Sequence, residues 1–230
     1  HEPASFTFKA GDALYRAFEC RTVDTLLAFG NNGRVYSVPV AGLPGARGDG
    51  QPVLTLIELE AGTQLLHYFA GPSQAQLLLS GSGGYGFIAQ VGDMISRQRG
   101  GKAFITCNAG ETVCAPSYIG GTSGSVPVPE ATHIACASAG GRLLTFPIGE
   151  LRTMPNGGRG LMLMSLEDKD VLIGAAAYTR SIRVQGTGRG GKPREETLEI
   201  RSLNNAAAAR GRKGKAADWG FKPQRIGRIE

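Results

Sequence analysis

The run Leu26-Leu27-Ala28-Phe29-Gly30-Asn31-Asn32-Gly33-Arg34-Val35-Tyr36 returns without a gap 51 residues later, as Leu77-Leu78-Leu79-Ser80-Gly81-Ser82-Gly83-Gly84-Tyr85-Gly86-Phe87. A third copy stands at Ile134-Ala135-Cys136-Ala137-Ser138-Ala139-Gly140-Gly141-Arg142-Leu143-Leu144. Each copy is a pair of apolar stretches around residues that tolerate positive φ, the pattern of a tight β-hairpin. A hairpin recurring at a near-constant interval restricts the chain to folds assembled from like units, each burying its face against the next.

The repeats lie at about 4–50, 51–101, 102–160 and 161–214, with a partial unit at 215–230. The first should carry strands at Phe6–Phe8, Ala13–Phe18, Thr25–Phe29 and Arg34–Val38, and the second at Leu54–Glu58, Gln64–Phe69, Gln76–Leu79 and Tyr85–Gln90. The third adds Ala103–Cys107 and Thr112–Ala115 to its hairpin, and its insertion from Tyr118 to Pro129 reads as a surface loop. The fourth places strands at Leu161–Ser165, Val171–Ala176, Arg180–Val184 and Thr197–Arg201, with a long hairpin through Gly186-Thr187-Gly188-Arg189-Gly190-Gly191-Lys192. Alternation such as Arg34-Val35-Tyr36-Ser37-Val38 marks strands with a buried face. Helical periods are scarce, and Ala206 to Ala209 read as a mobile tail. The expected fold is all-β, a propeller-like array of about five four-stranded blades, open or broken, in which units lend strands to their neighbours. A two-sheet sandwich is the alternative, and it would make the unit-by-unit correspondence accidental. Residues 6–230 are expected to form a single domain and residues 1–5 a linker.

Glycine supplies 35 of the 230 residues, about twice its usual share of roughly 7%, without the period of collagen, so many tight turns are expected. A formal charge of +6 favours an acidic partner, nucleic acid before an anionic membrane surface. From Arg201 to Glu230 there are eight Lys or Arg against two acids, so the C-terminal end is the more basic. No apolar run approaches about 20 residues and no secretory or lipidation signal is present, so no membrane partner is expected and the location is read as cytoplasmic. Opening at His1 and passing almost at once into Phe6-Thr7-Phe8, the chain reads as a domain of a longer polypeptide. Cys20, Cys107, Cys114 and Cys136 lack CxxC pairing and read as buried, reduced thiols. His1, His67 and His133 lack paired metal spacing, and Glu167-Asp168-Lys169-Asp170 reads as a solvated turn, so no metal site is expected. The tyrosines read as packing residues, and no acid, base or nucleophile constellation points to a catalytic residue.

Basic, glycine-rich segments follow the strand pairs: Gly45-Ala46-Arg47-Gly48, Arg97-Gln98-Arg99-Gly100-Gly101-Lys102, Asn156-Gly157-Gly158-Arg159-Gly160 and Arg210-Gly211-Arg212-Lys213-Gly214-Lys215. One such run alone is more readily an ordinary solvated loop. Recurrence in unit after unit points instead to a series of phosphates, approached closely where glycine removes the side chain. The candidate contacts are Arg47, Arg97, Arg99, Lys102, Arg159, Arg210, Arg212, Lys213 and Lys215. Arg34 and Arg142 are added, although residues that open strands are equally readable as solvated charges. Contacts of this kind position a duplex without reading its bases. Two readings from other classes remain beside this one: a module docking acidic proteins, and an enzyme built in a central channel.

Taken in order, several segments resemble the C-terminal domains of the bacterial type IIA topoisomerase A subunits, nearest to the topoisomerase IV branch. They are Gly33-Arg34-Val35-Tyr36-Ser37-Val38-Pro39-Val40, Leu43-Pro44-Gly45-Ala46-Arg47-Gly48-Asp49-Gly50, Gly84-Tyr85-Gly86-Phe87 and Gly101-Lys102-Ala103. Gly141-Arg142-Leu143-Leu144-Thr145-Phe146-Pro147 and Gln224-Arg225-Ile226-Gly227-Arg228-Ile229-Glu230 complete the set. The resemblance implies a β-pinwheel whose basic rim binds and bends double-stranded DNA. It implies that the domain presents DNA to the cleavage core of the same subunit for decatenation and supercoil relaxation. It further implies the ATPase subunit of a heterotetramer as a partner, ATP and magnesium used elsewhere in the parent enzyme, no cofactor in this domain, and a nucleoid-associated location. In the gyrase A branch a box reading QRRGGKG is needed for wrapping. Here Arg97-Gln98-Arg99-Gly100-Gly101-Lys102-Ala103 is one arginine short and ends in alanine, which favours topoisomerase IV and leaves a gyrase wrapping domain as the alternative.

Overall fold

The computed structural model describes residues 6–45, 48–123 and 126–229. In chain order the strands are β1 (Thr25–Gly30), β2 (Arg34–Pro39), β3 (Leu65–Gly71), β4 (Gln76–Ser80), β5 (Tyr85–Gln90) and β6 (Lys102–Ala103). They continue as β7 (Ser117–Ser123), β8 (Val126–Val128), β9 (His133–Ser138), β10 (Arg142–Pro147), β11 (Leu161–Met162) and β12 (Leu172–Tyr178). The last are β13 (Ser181–Thr187), β14 (Pro193–Glu199), β15 (Lys215–Ala216) and β16 (Lys222–Arg228). Among the described residues they form four antiparallel sheets, ordered β3-β1-β2-β6, β7-β4-β5-β11 with β8 outside β7, β12-β9-β10-β15, and β16-β13-β14.

One rule generates this topology. The repeated hairpin occupies the middle of the first three sheets, and in all four a long strand from further along the chain pairs with its first arm. The second arm receives a strand of only two residues, which arrives after the chain has built the next hairpin: β6 follows β4 and β5, β11 follows β9 and β10, and β15 follows β13 and β14. Each of the first three blades is therefore closed by a strand that follows its successor's hairpin, and among the described residues the fourth sheet receives none.

The hairpin arms of the first three blades are apolar at most positions because both faces are buried, whereas β14 of the fourth is polar and largely exposed. Leu27, Phe29 and Val35 meet Leu77, Leu79 and Phe87 between the first and second sheets. Leu78 and Ile88 meet Ile134, Cys136, Leu144 and Phe146 between the second and third. Ala135, Ala137 and Leu143 meet Ile182, Val184 and Leu203 between the third and fourth. Burying such side chains is worth about 1.5–3 kcal/mol each, so the interleaved faces hold the blades in sequence.

The all-β, propeller-like architecture with exchanged strands is present. Four sheets stand where about five blades were expected, because the partial unit at 215–230 begins no blade of its own: β15 joins the third sheet and β16 the fourth. Several strand assignments are corrected. Phe6–Phe8 and Ala13–Phe18 are not strands; Tyr15 and Phe18 instead lie edge-on to Tyr68 and Phe69, at ring separations of 5.2 and 6.3 Å, and cover β3. Leu54–Glu58 is no strand either, and Ile57 packs on Ala28, Tyr36 and Val38 to close the outward face of the first sheet. The insertion read as a surface loop contains β7, which pairs with β4 at Leu77↔Tyr118 and Leu78↔Ser117 and supplies the strand its sheet needs. The alanines read as a tail are docked: Ala206 is buried after the short helix Ile200–Asn205, and Ala207 bridges to Thr145. Cys114 and Cys136 are buried thiols, that of Cys114 pushed up to about 12 by burial, whereas Cys20 and Cys107 are half-buried.

His67 on β3 ties the first sheet to the segment before β7, its Nε2–H donating to the Val113 carbonyl at 3.1 Å. Burial, partly offset by the hydrogen bond to Val113 and aided by the Arg225 charge, holds the ring below its ordinary pKa. A base depressed in the folded state binds fewer protons than in the unfolded chain, so stability falls as pH drops below about 6.5. His67→Gln is expected to lose less stability between pH 7.5 and 5.5 than the parent chain, read from urea unfolding midpoints. Equal losses in both would show that His67 carries no such linkage.

Candidate nucleic-acid interface

The three exchanged strands dock in the same register: Val35↔Lys102 and Arg34↔Ala103, Gly86↔Leu161 and Tyr85↔Met162, Leu143↔Lys215 and Arg142↔Ala216. Each follows a glycine at positive φ, Gly101 at 66°, Gly160 at 82° and Gly214 at 72°. A Cβ at these glycines would stand 2.6, 2.2 and 2.4 Å from the carbonyl oxygens of Val35, Gly86 and Leu143. These glycines therefore serve a close approach to the protein's own hairpin. That revises the expectation that they admit a partner's backbone. Gly100 has open space around its Cβ position and no positive φ.

Equal registers make the basic segments comparable position by position. On the first blade, Arg34 donates to the carbonyls of Gly100 and Gly101 at 2.9 and 3.0 Å and so pins the loop. Lys102 donates to the Asp93 carbonyl at 2.8 Å, with its ammonium 5.6 Å over Phe104. Arg99 reaches the Thr55 carbonyl at 3.0 Å and Glu58 at 3.6 Å on the exposed surface. Arg97 is exposed and makes no ion pair or side-chain hydrogen bond among the described residues.

On the third blade, Arg210 donates to the carbonyls of Met162 and Glu150 at 2.6 and 3.2 Å, linking this loop to β11 of the second sheet. Arg142 and Lys213 share the Glu167 carboxylate at 2.8 and 3.7 Å. Within the same acidic turn, Asp170 accepts from the backbone of Gly140 and Val171, which explains the acids as braces of the β9–β10 turn. Arg212 and Lys215 are exposed and unpaired among the described residues.

The second blade differs. Arg159 occupies the position of Gly100 and Lys213, but both of its terminal nitrogens donate to Glu111 at 2.9 Å and its guanidinium lies 4.2 Å from the centre of the Tyr85 ring. Arg159 holds the Glu111 carboxyl below its usual range, and the carboxylate in turn raises the guanidinium. Arg47 lies outside the described residues. The ten described sequence candidates thus divide into residues already committed to the fold (Arg34, Lys102, Arg142, Arg159, Arg210), weakly held ones (Arg99, Lys213) and open ones (Arg97, Arg212, Lys215).

The structure adds a cluster that the sequence reading did not select. The β13–β14 turn exposes Arg189 and Lys192, the register Gly186↔Arg194 and Thr187↔Lys222 brings two more cations to the same end of the sheet, and none of the four is paired among the described residues. The signal was available: Arg99-Gly100-Gly101-Lys102 recurs as Arg189-Gly190-Gly191-Lys192. Here the quartet sits in the blade's own hairpin rather than before an exchanged strand, with Gly190 and Gly191 at φ 73° and 76°. Among the described residues no three His, Cys, Asp or Glu side chains gather as a metal site, and no helix is long and apolar enough to cross a membrane.

The model of the family described as DNA gyrase C-terminal domain, beta-propeller, matches residues 24–59 and 132–178, which include the hairpins of the first and third blades. The DNA topoisomerase 4 A subunit of Neisseria gonorrhoeae is 39% identical over 184 residues, 80% of this chain and 23% of that protein. Its counterpart in Escherichia coli K12 is 28% identical over 228 residues, 97% of this chain and 28% of that protein. The chain thus spans about a quarter of the length of these curated relatives. Among solved structures, the E. coli ParC C-terminal domain superposes with a TM-score of 0.80 at 24% identity, covering 98% of this chain and 89% of that one. A DNA gyrase A C-terminal domain gives a TM-score of 0.67 at 19% identity, covering 95% and 70%.

Proposed function

Because this chain belongs to the family of C-terminal β-pinwheel domains of topoisomerase IV and gyrase A subunits, on the topoisomerase IV side, we propose that it binds duplex DNA without regard to sequence and bends it along the blade edges. The observation that carries this reading is the set of unpaired cations on three of the four blades: Arg97 before the exchanged strand of the first, Arg212 and Lys215 at that of the third, and Arg189, Lys192 and Arg194 in the hairpin of the fourth. Arg99 and Lys213 join them, since exposed ion pairs at 3.6 and 3.7 Å yield readily to a phosphate. The committed arginines position these loops.

Bending 20 to 30 base pairs costs on the order of 1 to 6 kcal/mol, so contacts on several blades are required. In the parent enzyme, residues 6–230 would act as one domain that hands a DNA segment to the cleavage core of the same subunit for decatenation and relaxation. The ATPase subunit, ATP and magnesium would act elsewhere in that assembly on the nucleoid. The test is binding of two linear duplexes of unrelated sequence across a salt series. Equal affinities that fall steeply with salt support the reading, because each neutralised phosphate adds about 0.9 to the slope of log K against log salt. Strong preference for one duplex, or no binding at low salt, overturns it.

A further inference from the structure

The second blade carries a cation at the rim position that the third blade fills with Lys213, yet that cation is stowed. Glu111 takes both terminal nitrogens of Arg159 at 2.9 Å, and Tyr85 covers one face of the guanidinium at 4.2 Å. The neighbouring exchanged residues are Leu161 and Met162, where the first and third blades have lysine followed by alanine. We infer that Glu111 is an electrostatic lock that withholds Arg159 from DNA, so that the duplex touches the first and third blades more firmly than the blade between them.

Physical chemistry supports the lock. A bidentate arginine–carboxylate pair satisfies the geometry that the same guanidinium would offer a phosphate, and the carboxylate repels an incoming phosphate. Side-chain exposures of 27% and 20% leave the pair less solvated than Arg142 with Glu167, at 33% and 49%, or Arg99 with Glu58, at 56% and 69%. Glu111 also accepts from the Asn108 backbone N–H at 2.8 Å, which fixes its carboxylate in place. Arg152 is an exposed cation that lies beside β5, its carbonyl accepting from the Ile88 backbone N–H.

The inference rests on the DNA-binding reading, and the experiment separates the two. Salt titrations of duplex binding are run on the parent chain, Glu111→Gln, Arg159→Ala and the double variant, with Glu111→Ala as a second way of removing the charge. Gln retains an acceptor for Asn108. With the lock removed, Glu111→Gln is expected to steepen the salt slope by about 0.9, so that its affinity falls about three- to fourfold more than the parent's between 50 and 200 mM salt. Arg159→Ala alone should leave the slope unchanged, and the double variant should return to the parent slope. If Arg159→Ala alone flattens the slope by about 0.9, Arg159 already holds a phosphate and the lock is refuted. An unchanged slope in both Glu111 variants refutes it as well, while DNA binding by the parent chain stands. A parent chain that shows no salt-dependent binding removes both readings together.

Discussion

Gly101→Ala, Gly160→Ala and Gly214→Ala are each expected to destabilise the fold by about 2 to 5 kcal/mol, the sum of placing an L residue in the left-handed region and overpacking a closed contact. The positive φ values of 66°, 82° and 72° supply the first part, and Cβ positions within 2.6 Å of a host carbonyl supply the second. The contact is backbone, so no side-chain rotation relieves it. Gly100→Ala is the control, since its Cβ would meet open space; its effect should stay within about 1 kcal/mol. Urea unfolding of the four variants decides the matter. If Gly101→Ala costs no more than Gly100→Ala, strand exchange is not what this glycine serves, and the reading that it admits a partner regains ground.

The second large effect concerns DNA. Arg212→Ala, Lys213→Ala and Lys215→Ala combined should reduce the salt slope of duplex binding by about 2 to 3 at roughly 0.9 per phosphate, with unfolding midpoints close to the parent's. The residues are exposed, and the single ion pair among them, Lys213 with Glu167 at 3.7 Å, leaves that carboxylate to Arg142. Arg189→Ala, Lys192→Ala and Arg194→Ala should act similarly on the fourth blade. By contrast, Arg34→Ala removes two hydrogen bonds that hold the Arg97–Lys102 loop and should lower stability before it changes the slope. A triple variant on the third blade that keeps the parent slope would place the DNA elsewhere.

The candidate site was legible as segments but not as individual residues. Arg159 and Lys213 look alike in sequence, each a cation immediately before a glycine, yet one is spent on Glu111, 48 residues away, and the other is nearly free. Linear sequence carries no signal for such a pairing, because the fold alone brings Glu111 beside the second blade's exchanged strand. Arg34 and Arg142, read as solvated strand charges or DNA contacts, proved to be braces, one on carbonyls of the loop and one on Glu167. The Arg189–Lys192 turn was visible but taken for hairpin chemistry only.

What the sequence determined by itself was the unit: hairpins between β1 and β2, β4 and β5, and β9 and β10, whose apolar arms and glycine turns are local and repeat at measurable intervals. Local periodicity sufficed for these apolar hairpin arms of five or six residues, whereas the seven-residue β7, with its two glycines, was read as a loop. The tertiary structure alone decided how the units interlock. β6, β11 and β15 are two residues each, too short for any periodicity, and each pairs with a hairpin arm laid down more than fifty residues earlier. Their placement follows from long-range carbonyl contacts and from which strand edge remains open once the hairpins have packed. The same packing determines which cations are consumed by the scaffold and which are left facing solvent.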